Sequence, residues 1–196
     1  MASQAGPRPE LETPAGGGPD GGGRPRGYGP HRAHRTWSPR VTIAWRITQR
    51  EFWHSAFSGE GSRIFGGRWN SKGLSVVYLA DTVALAQLEL LVHVSRKRLA
   101  IMDLGIARVE FDERLVADVA DKDMPDDWQQ SLWPASTQEL GNKWLQEKSS
   151  PILRVPSSVS PTDFNCLLNP LHADFHKITI HPFRLFSFNP RLMNDA

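Results

Sequence analysis

A short segment of the chain, residues 65–70, carries an arginine, Arg68, directly after two glycines. Tyr78 follows ten residues later, and Glu89 eleven residues after that. Because glycine has no Cβ, two adjacent glycines let backbone and ligand approach closely. The planar Arg68 guanidinium fits a phosphate with two parallel hydrogen bonds. An arginine, an aromatic ring and a single carboxylate together favour an anionic substrate that contains a ring.

Each of these side chains also has an ordinary structural interpretation. Glu89 lies among leucines, so it is either an exposed acid on an amphipathic helix or a desolvated carboxylate that needs a partner. Arg68 is compatible with a structural salt bridge, for example to Glu89. A strand tyrosine such as Tyr78 is commonly a core residue. Their joint occurrence, rather than any one of them, indicates a binding site.

Three predicted elements position these residues. The clearest helix covers residues 82–94, with Asp81 as its N-cap and a cationic segment after it. Residues 75–79 and 41–47 are rich in β-branched and aromatic side chains, which predicts two strands. One face of the helix carries Thr82, Ala86, Glu89 and His93, with Leu85, Leu88 and Val92 beside it.

The remaining elements predict the fold class. Strands are expected at residues 100–106, 107–111, 152–155, 177–180 and 184–188, an apolar segment at 165–169, helices at 51–58 and 137–147, and loops at 58–62 and 121–133. Strands and helices mix without a regular βαβ repeat, so an α+β domain with a mixed or antiparallel sheet is favoured over a doubly wound sheet. Residues 39–196 contain neither a Gly-x-Gly-x-x-Gly motif nor a P-loop, and the glycine runs at 16–18 and 21–23 reflect the composition of the tail.

The amino-terminal part of the chain differs in composition from the rest. Residues 1–36 hold nine glycines, six prolines and almost no large apolar side chain, which predicts a disordered tail over residues 1–38 and a folded domain over 39–196. The tail has five arginines against three acids, whereas the other residues have 18 basic and 18 acidic groups. A neutral body argues against direct nucleic-acid binding.

Cysteine and histidine usage narrows the remaining classes of site. The single cysteine, Cys166, excludes an intramolecular disulfide and a multi-cysteine metal site. The histidines of the body lack metal-ligand spacing, so no metal is expected. No apolar run approaches the length of a membrane helix. These features predict a soluble cytoplasmic protein.

Several motifs occur together in a fixed order over residues 45–192. They are Trp45-Arg46-Ile47, Ser58-Gly59-Glu60-Gly61, Gly66-Gly67-Arg68-Trp69-Asn70, Val77-Tyr78-Leu79-Ala80, Ala86-Gln87-Leu88-Glu89, Val155-Pro156-Ser157 and Leu168-Asn169-Pro170. This pattern resembles the RES-domain family, the toxin component of bacterial RES–Xre toxin–antitoxin pairs. The resemblance covers essentially the whole predicted domain.

The resemblance implies a set of site residues. By position, Arg68 matches the family arginine, Glu89 the glutamate and Tyr78 the active-site tyrosine. Ser157 matches the family serine, with the adjacent Ser158 as the alternative. Arg46 and Asn169, each inside a matching motif, are assigned with Arg68 and Tyr78 to substrate binding.

The resemblance also implies a fold, an activity and partners. The fold is expected to resemble that of ADP-ribosyltransferase toxins. The implied activity is consumption of NAD+ as a substrate, by phosphorolysis or hydrolysis, without a tightly bound cofactor; inorganic phosphate is then a second ligand. Transfer of ADP-ribose to a protein and an inactive antitoxin-binding module are the alternatives. An Xre-like helix-turn-helix antitoxin is the expected partner, and a homo-oligomer is compatible with the sequence.

Overall fold

The computed structural model describes residues 40–193, so the predicted tail over residues 1–38 lies outside the described residues. The described residues form eight strands, five α-helices and four short 3₁₀ helices, the first of which covers Arg50–Ser55. The strands are β1 (Val41–Gln49), β2 (Val77–Ala80), β3 (Leu104–Asp112), β4 (Val116–Asp118), β5 (Ile152–Pro156), β6 (Phe164–Leu168), β7 (Thr179–Ile180) and β8 (Arg184–Phe186). The helices are α1 (Glu60–Phe65), α2 (Val83–His93), α3 (Arg96–Leu99), α4 (Ala135–Glu147) and α5 (Pro190–Met193).

One mixed sheet contains all eight strands. Its order is β4-β5-β6-β2-β1-β3-β7, and β8 also pairs with β3. Only the β4–β5 pair is parallel among the described strands. The predicted α+β class with a mixed sheet is therefore confirmed.

The sheet is weakly joined between β1 and β2. These strands are paired at a single position, Trp45 opposite Ala80, whereas β1 and β3 pair along their whole lengths, from Val41 opposite Asp112 to Gln49 opposite Leu104. The sheet consequently divides into two halves that diverge on either side of the Trp45–Ala80 pair. On its β1 side, the Tyr78 carbonyl of β2 accepts a hydrogen bond from the Arg46 side chain rather than from the backbone of β1.

Helix α2 lies on one face of the sheet. Its Leu85 and Ala86 are buried in a cluster with Ile47 and Ala80. Full burial of a leucine such as Leu85 contributes roughly 1.5–3 kcal/mol. This cluster fixes α2 against β1 and β2, which are the strands next to the predicted site.

Helix α4 and β6 form the other supports of the site. Trp144 and Leu145 of α4 pack in a buried cluster with Trp69 and Leu167. In β6, Cys166 is buried between β2 and β5, opposite Leu79 and Arg154. Burial raises the pKa of the Cys166 thiol to about 12.

Some predicted boundaries were wrong for local reasons. Thr82, not Asp81, is the N-cap of α2, because the Thr82 hydroxyl accepts the Leu85 N–H while Asp81 bonds to the start of β6. The predicted loop over residues 58–62 instead contains the start of α1, after Gly59 in the left-handed region (φ 71°). Ala100 lies in a turn, and β3 is a single continuous strand from Leu104.

Candidate active site

Arg68 projects from a tight turn. Gly67 donates its N–H to the carbonyl of Asn70 at 2.9 Å, so Arg68 and Trp69 occupy the two central positions. A Cβ at Gly67 would collide with the Tyr78 hydroxyl and with Asn70 Oδ1. Gly66 ends α1 with a φ of 75°, which favours glycine. The two glycines are therefore required by the turn itself, before any ligand is considered.

Tyr78 supports this turn from the sheet. Its hydroxyl donates to Asn70 Oδ1 at 2.7 Å and accepts the Trp69 N–H at 3.1 Å. Burial raises the pKa of the Tyr78 hydroxyl well above its usual range, so it remains a protonated donor at neutral pH. In this structure the hydroxyl of Tyr78 is engaged with the backbone and side chain of the turn.

Helix α4 supports the same turn from the opposite side. Thr137 donates its hydroxyl to the Arg68 carbonyl at 2.7 Å, and Gln138 Nε2 donates to the Gly67 carbonyl at 2.9 Å. Gly141 lies so close that a Cβ there would overlap the Trp69 carbonyl. The contribution of α4 to the site was missed from the sequence, because about 70 residues separate the two segments and no local pattern links them.

The Arg68 guanidinium is held at one of its three nitrogens. Nη1 donates to the carbonyls of Trp128 and Gln130, at 2.7 Å and 2.8 Å. The other two nitrogens make no hydrogen bond to residues 40–193. Burial lowers the pKa of Arg68, opposed by the charge of Glu89 and by Tyr78. Arg68 therefore keeps a free edge of N–H donors in a half-buried setting.

Glu89 lies on α2 with its carboxylate fixed by two donors. Ser157 Oγ donates to Glu89 Oε1 at 2.9 Å, and Asn165 Nδ2 donates to the same oxygen at 2.7 Å. Oε2 makes no hydrogen bond to residues 40–193 and lies 3.8 Å from His93 Nε2. The side chain is 26% exposed. No ion pair joins Glu89 to Arg68 within residues 40–193, so the simple salt-bridge interpretation does not describe this carboxylate.

Ser157 is fully buried at the end of β5. Its hydroxyl accepts the N–H groups of Val159 and Ser160, at 3.1 Å and 3.3 Å. Because both lone pairs are occupied, the single hydroxyl hydrogen is directed to Glu89. Of the two adjacent serines, Ser157 rather than Ser158 contacts the carboxylate.

The two further binding residues predicted from the motifs lie in different places. Arg46 of β1 reaches across the gap in the sheet, and its Nη1 donates to the Tyr78 carbonyl at 2.9 Å. Its Nε is buried without a hydrogen-bond partner among residues 40–193, and burial lowers the pKa of Arg46 to about 10. Arg46 therefore lies beside the predicted site with unused donor capacity.

Asn169 makes no hydrogen bond to Arg68, Tyr78, Glu89 or Ser157 within residues 40–193. It follows β6 at the end opposite Asn165, about 13 Å along the strand at roughly 3.3 Å per residue. Its Oδ1 accepts the Leu171 N–H at 3.0 Å, and its own N–H bonds to the Pro151 carbonyl. These contacts shape the turn after β6, and they provide no support for a ligand contact.

Metal and membrane features are lacking in the part of the chain that the structure describes. Residues 40–193 contain no group of three or more His, Cys, Asp or Glu side chains placed to hold a metal ion. Within the same residues, no helix has the length and apolar character to cross a bilayer.

Comparison with known proteins identifies the family. The RES domain model matches residues 43–189, most of the chain and all of the elements that form the site. The chain therefore belongs to the RES-domain family.

Individual relatives agree with this assignment. The chain is 37% identical over 152 residues to "Toxin Res" of Yersinia enterocolitica, an alignment that covers 76% of this chain and 99% of the relative. It is 32% identical over 161 residues to the "Prs ADP-ribosylating toxin" of a Sphingobium species, covering 80% and 99%. In fold it resembles a chain of the Mycobacterium tuberculosis MbcT–MbcA toxin–antitoxin complex, with a TM-score of 0.64, 18% identity and coverage of 79% and 88%.

Proposed function

We propose that this protein is the toxin of a toxin–antitoxin pair and that it cleaves the nicotinamide–ribose bond of NAD+. The observation that carries the proposal is a carboxylate, Glu89, with one oxygen held by two donors and the other without a hydrogen bond to residues 40–193, near enough to Arg68 for its charge to counter the effect of burial on the pKa of that arginine. The relatives named "Toxin Res" support the assignment as a toxin.

Glu89 would stabilise the charge that develops during cleavage. Breaking the bond between ribose C1″ and the nicotinamide nitrogen leaves the electron pair on nicotinamide, which departs as a neutral molecule. Positive charge then builds on the ribose, as it does in glycoside cleavage. A fixed carboxylate close to this charge lowers the barrier because it does not need to reorganise.

Arginines would bind the remainder of NAD+. The free N–H edge of Arg68 suits the pyrophosphate, which accepts paired hydrogen bonds. Arg46 offers further donors at the gap in the sheet. The ring of Tyr78 could stack on nicotinamide or orient the ribose while its hydroxyl supports the Arg68 turn. NAD+ is then the substrate, and no tightly bound cofactor or metal is required.

The oxygen that attacks ribose C1″ defines the reaction. If phosphate attacks, its oxygen forms the new bond and the products are nicotinamide and ADP-ribose 1″-phosphate; if water attacks, its proton passes to solvent and ADP-ribose is released. A second candidate is transfer of ADP-ribose to a protein side chain. The Sphingobium relative, named an ADP-ribosylating toxin, supports that candidate specifically.

A protein partner is part of the proposal. The structural neighbour was solved in a toxin–antitoxin complex, which supports an antitoxin for this chain as well. We propose that this antitoxin is a small Xre-like helix-turn-helix protein. The pair would act in the cytoplasm, where NAD+ is available.

Purified protein incubated with NAD+ tests the activity. Reactions with and without phosphate, with products resolved by mass, should release nicotinamide together with ADP-ribose 1″-phosphate or ADP-ribose. Addition of bacterial lysate and labelled NAD+ tests transfer to protein. Unchanged NAD+ after prolonged incubation of folded protein, with no labelled protein, would overturn the proposal.

A further inference from the structure

We propose that Asn165 is a positioning residue that fixes the Glu89 carboxylate for NAD+ cleavage. The inference rests on the proposed function and adds to it a residue that acts through Glu89. The contact that motivates it is the hydrogen bond from Asn165 Nδ2 to Glu89 Oε1, which is the shorter of the two that this oxygen accepts.

The chemistry of the two side chains defines the direction of this bond. An ionised carboxylate accepts hydrogen bonds and cannot donate them, so the amide NH₂ of Asn165, rather than its oxygen, faces Glu89. A hydrogen bond to a charged group is worth about twice a neutral one. Asn165 therefore favours a single orientation of the carboxylate.

The two donors to Oε1 come from neighbouring parts of the sheet. Ser157 is buried directly after β5, where its N–H bonds to the Asp163 carbonyl and its hydroxyl accepts two backbone N–H groups of the following turn. Asn165 lies inside β6, with Ala80 of β2 on one side and Val155 of β5 on the other. A site residue carried by a paired strand is located more accurately than one carried by a loop. Asn165 thus ties the carboxylate of α2 directly to the sheet.

The arrangement of donors also selects which oxygen meets the substrate. Both hydrogen bonds go to Oε1, so Oε2 is left for a ribose hydroxyl or for the developing charge. If Asn165 were absent, Ser157 alone would hold Oε1, and the carboxylate could rotate about its terminal torsion, which is broad for glutamate. The preference for one oxygen would then be lost.

The residue type is unusual for its position in the fold. Asparagine is a poor strand former, yet it occupies a strand with partners on both sides, directly before the buried Cys166 and Leu167. Departures of this kind from local preference are expected where a residue serves a site rather than the fold.

Two substitutions of Asn165 test the proposal. Asn165→Leu removes the donor at similar size, and Asn165→Asp replaces the donor by an acceptor. Loss of a hydrogen bond to a charged group should lower kcat about 10- to 100-fold, while the KM for NAD+ should change little if Asn165 acts through Glu89, the one side-chain partner of its amide among residues 40–193. Asn189→Asp is the control: this exposed asparagine accepts the Arg191 N–H through Oδ1, which aspartate also provides, and its replacement should leave turnover unchanged.

The pH dependence of the two variants separates positioning from packing. When its new carboxyl group is protonated, Asn165→Asp can again donate to Glu89, so its kcat relative to wild type should rise as the pH falls. Asn165→Leu has no such group, so its kcat relative to wild type should not change with pH. His93 and Arg68 lie near Glu89 in the wild type and in both variants. Their effects therefore cancel when kcat of a variant is divided by kcat of the wild type. Wild-type kcat in both variants, or losses of equal size and equal pH dependence, would overturn the proposal.

A stability measurement tests the contact between Asn165 and Glu89 independently of activity. Asn165→Leu should lower the melting temperature more in the wild-type background than in a Glu89→Ala background, since only the first still has the bond to lose. Equal shifts in the two backgrounds would overturn the contact and the proposal with it. If the wild type left NAD+ intact while these shifts differed, the proposed function would fail and Asn165 would still be the residue that holds Glu89.

Discussion

The two oxygens of Glu89 have different environments, and this difference organises the site at the scale of single residues. Oε1 accepts from Ser157 and Asn165, whereas Oε2 has no hydrogen bond to residues 40–193. The pattern is that of a carboxylate held in place at one oxygen and available at the other. Such a group can act on a ligand without first rearranging.

Glu89→Gln should therefore separate charge from shape. The glutamine oxygen can still accept from Ser157 and Asn165, so the melting temperature should change little. Loss of the negative charge should remove about 3–4 kcal/mol of transition-state stabilisation, or roughly 10²–10³ in kcat. Kinetics and thermal melts on the same sample check both expectations, with Glu147→Gln, an exposed partner of Lys143, as the control. Near-wild-type turnover in Glu89→Gln would contradict the catalytic role.

Arg68→Lys should weaken substrate binding more than chemistry. An ammonium keeps the charge but loses the fork of donors that matches a phosphate, and with two of its three N–H groups on the Trp128 and Gln130 carbonyls it has only one left for a phosphate. We expect a raised KM for NAD+ with a smaller change in kcat, measured by initial rates. Arg114→Lys, at an exposed pair with Asp112, is the control and should match wild type. A lower kcat at unchanged KM would assign Arg68 to the chemical step instead.

At the scale of elements, the site depends on how closely α4 approaches the Arg68 turn. Gly141 leaves no room for a Cβ beside the Trp69 carbonyl, and neighbouring Thr137 and Gln138 hold the turn through its carbonyls. Position and orientation of Arg68 are thus linked to the packing of a helix that follows it by some 70 residues in the chain. Changes at this contact should affect stability and substrate binding together.

Gly141→Ala tests this linkage. The added methyl must displace either α4 or the turn, so unfolding should become easier by about 1–3 kcal/mol, and the KM for NAD+ should rise. Gly61→Ala in α1 is the matched control, because a Cβ there meets nothing within 4 Å and alanine favours helix by about 1 kcal/mol. Chemical denaturation and initial rates on both variants make the comparison. A Gly141→Ala protein as stable and active as Gly61→Ala would contradict the role assigned to α4.

Local signals in the sequence predicted most of these elements. The β-branched run of β1, the apolar face of α2 and the inward residues of α4 follow periodicities that depend on few neighbours. Ends of elements were less predictable, as at Thr82, because two adjacent residues, Asp81 and Thr82, are both good N-caps and tertiary bonding decides between them.

Within the site, motifs predicted the residues but not their contacts. Arg68, Tyr78, Glu89 and Ser157 stand in recognisable patterns, and the structure gathers them around one turn and one helix. Asn165 was missed because its role arises only when β6 is placed between β2 and β5 beside α2. The single signal available was an asparagine in an otherwise apolar strand. Asn169, which was predicted, shapes a turn at the far end of that strand.

At the scale of the whole molecule, residues 1–38 are expected to be dispensable. Their composition offers little apolar surface to dock, and the family match begins at residue 43. Deleting them should leave the melting temperature and NAD+ turnover unchanged within error, as measured against the full chain. A large loss of either would show that this segment contributes to the folded domain.

Expression in a bacterium tests the proposed role in the cell. We expect growth arrest and a fall in the NAD+ pool, with rescue by the antitoxin. The Glu89→Gln protein, expressed to the same soluble level, is the control and should permit growth. Normal growth with undiminished NAD+ in cells that contain soluble wild-type protein would count against the toxin proposal.

The single thiol, that of Cys166, can report how often the sheet opens locally at β6. It is buried in β6 next to Asn165, and its raised pKa keeps it neutral and unreactive while the strand is paired. An alkylating reagent can reach it only when β6 separates from β2 or β5, so the rate of labelling measures the free energy of that separation. A ligand bound against Glu89 should slow the labelling, and binding could be followed in this way even for a variant that turns over nothing.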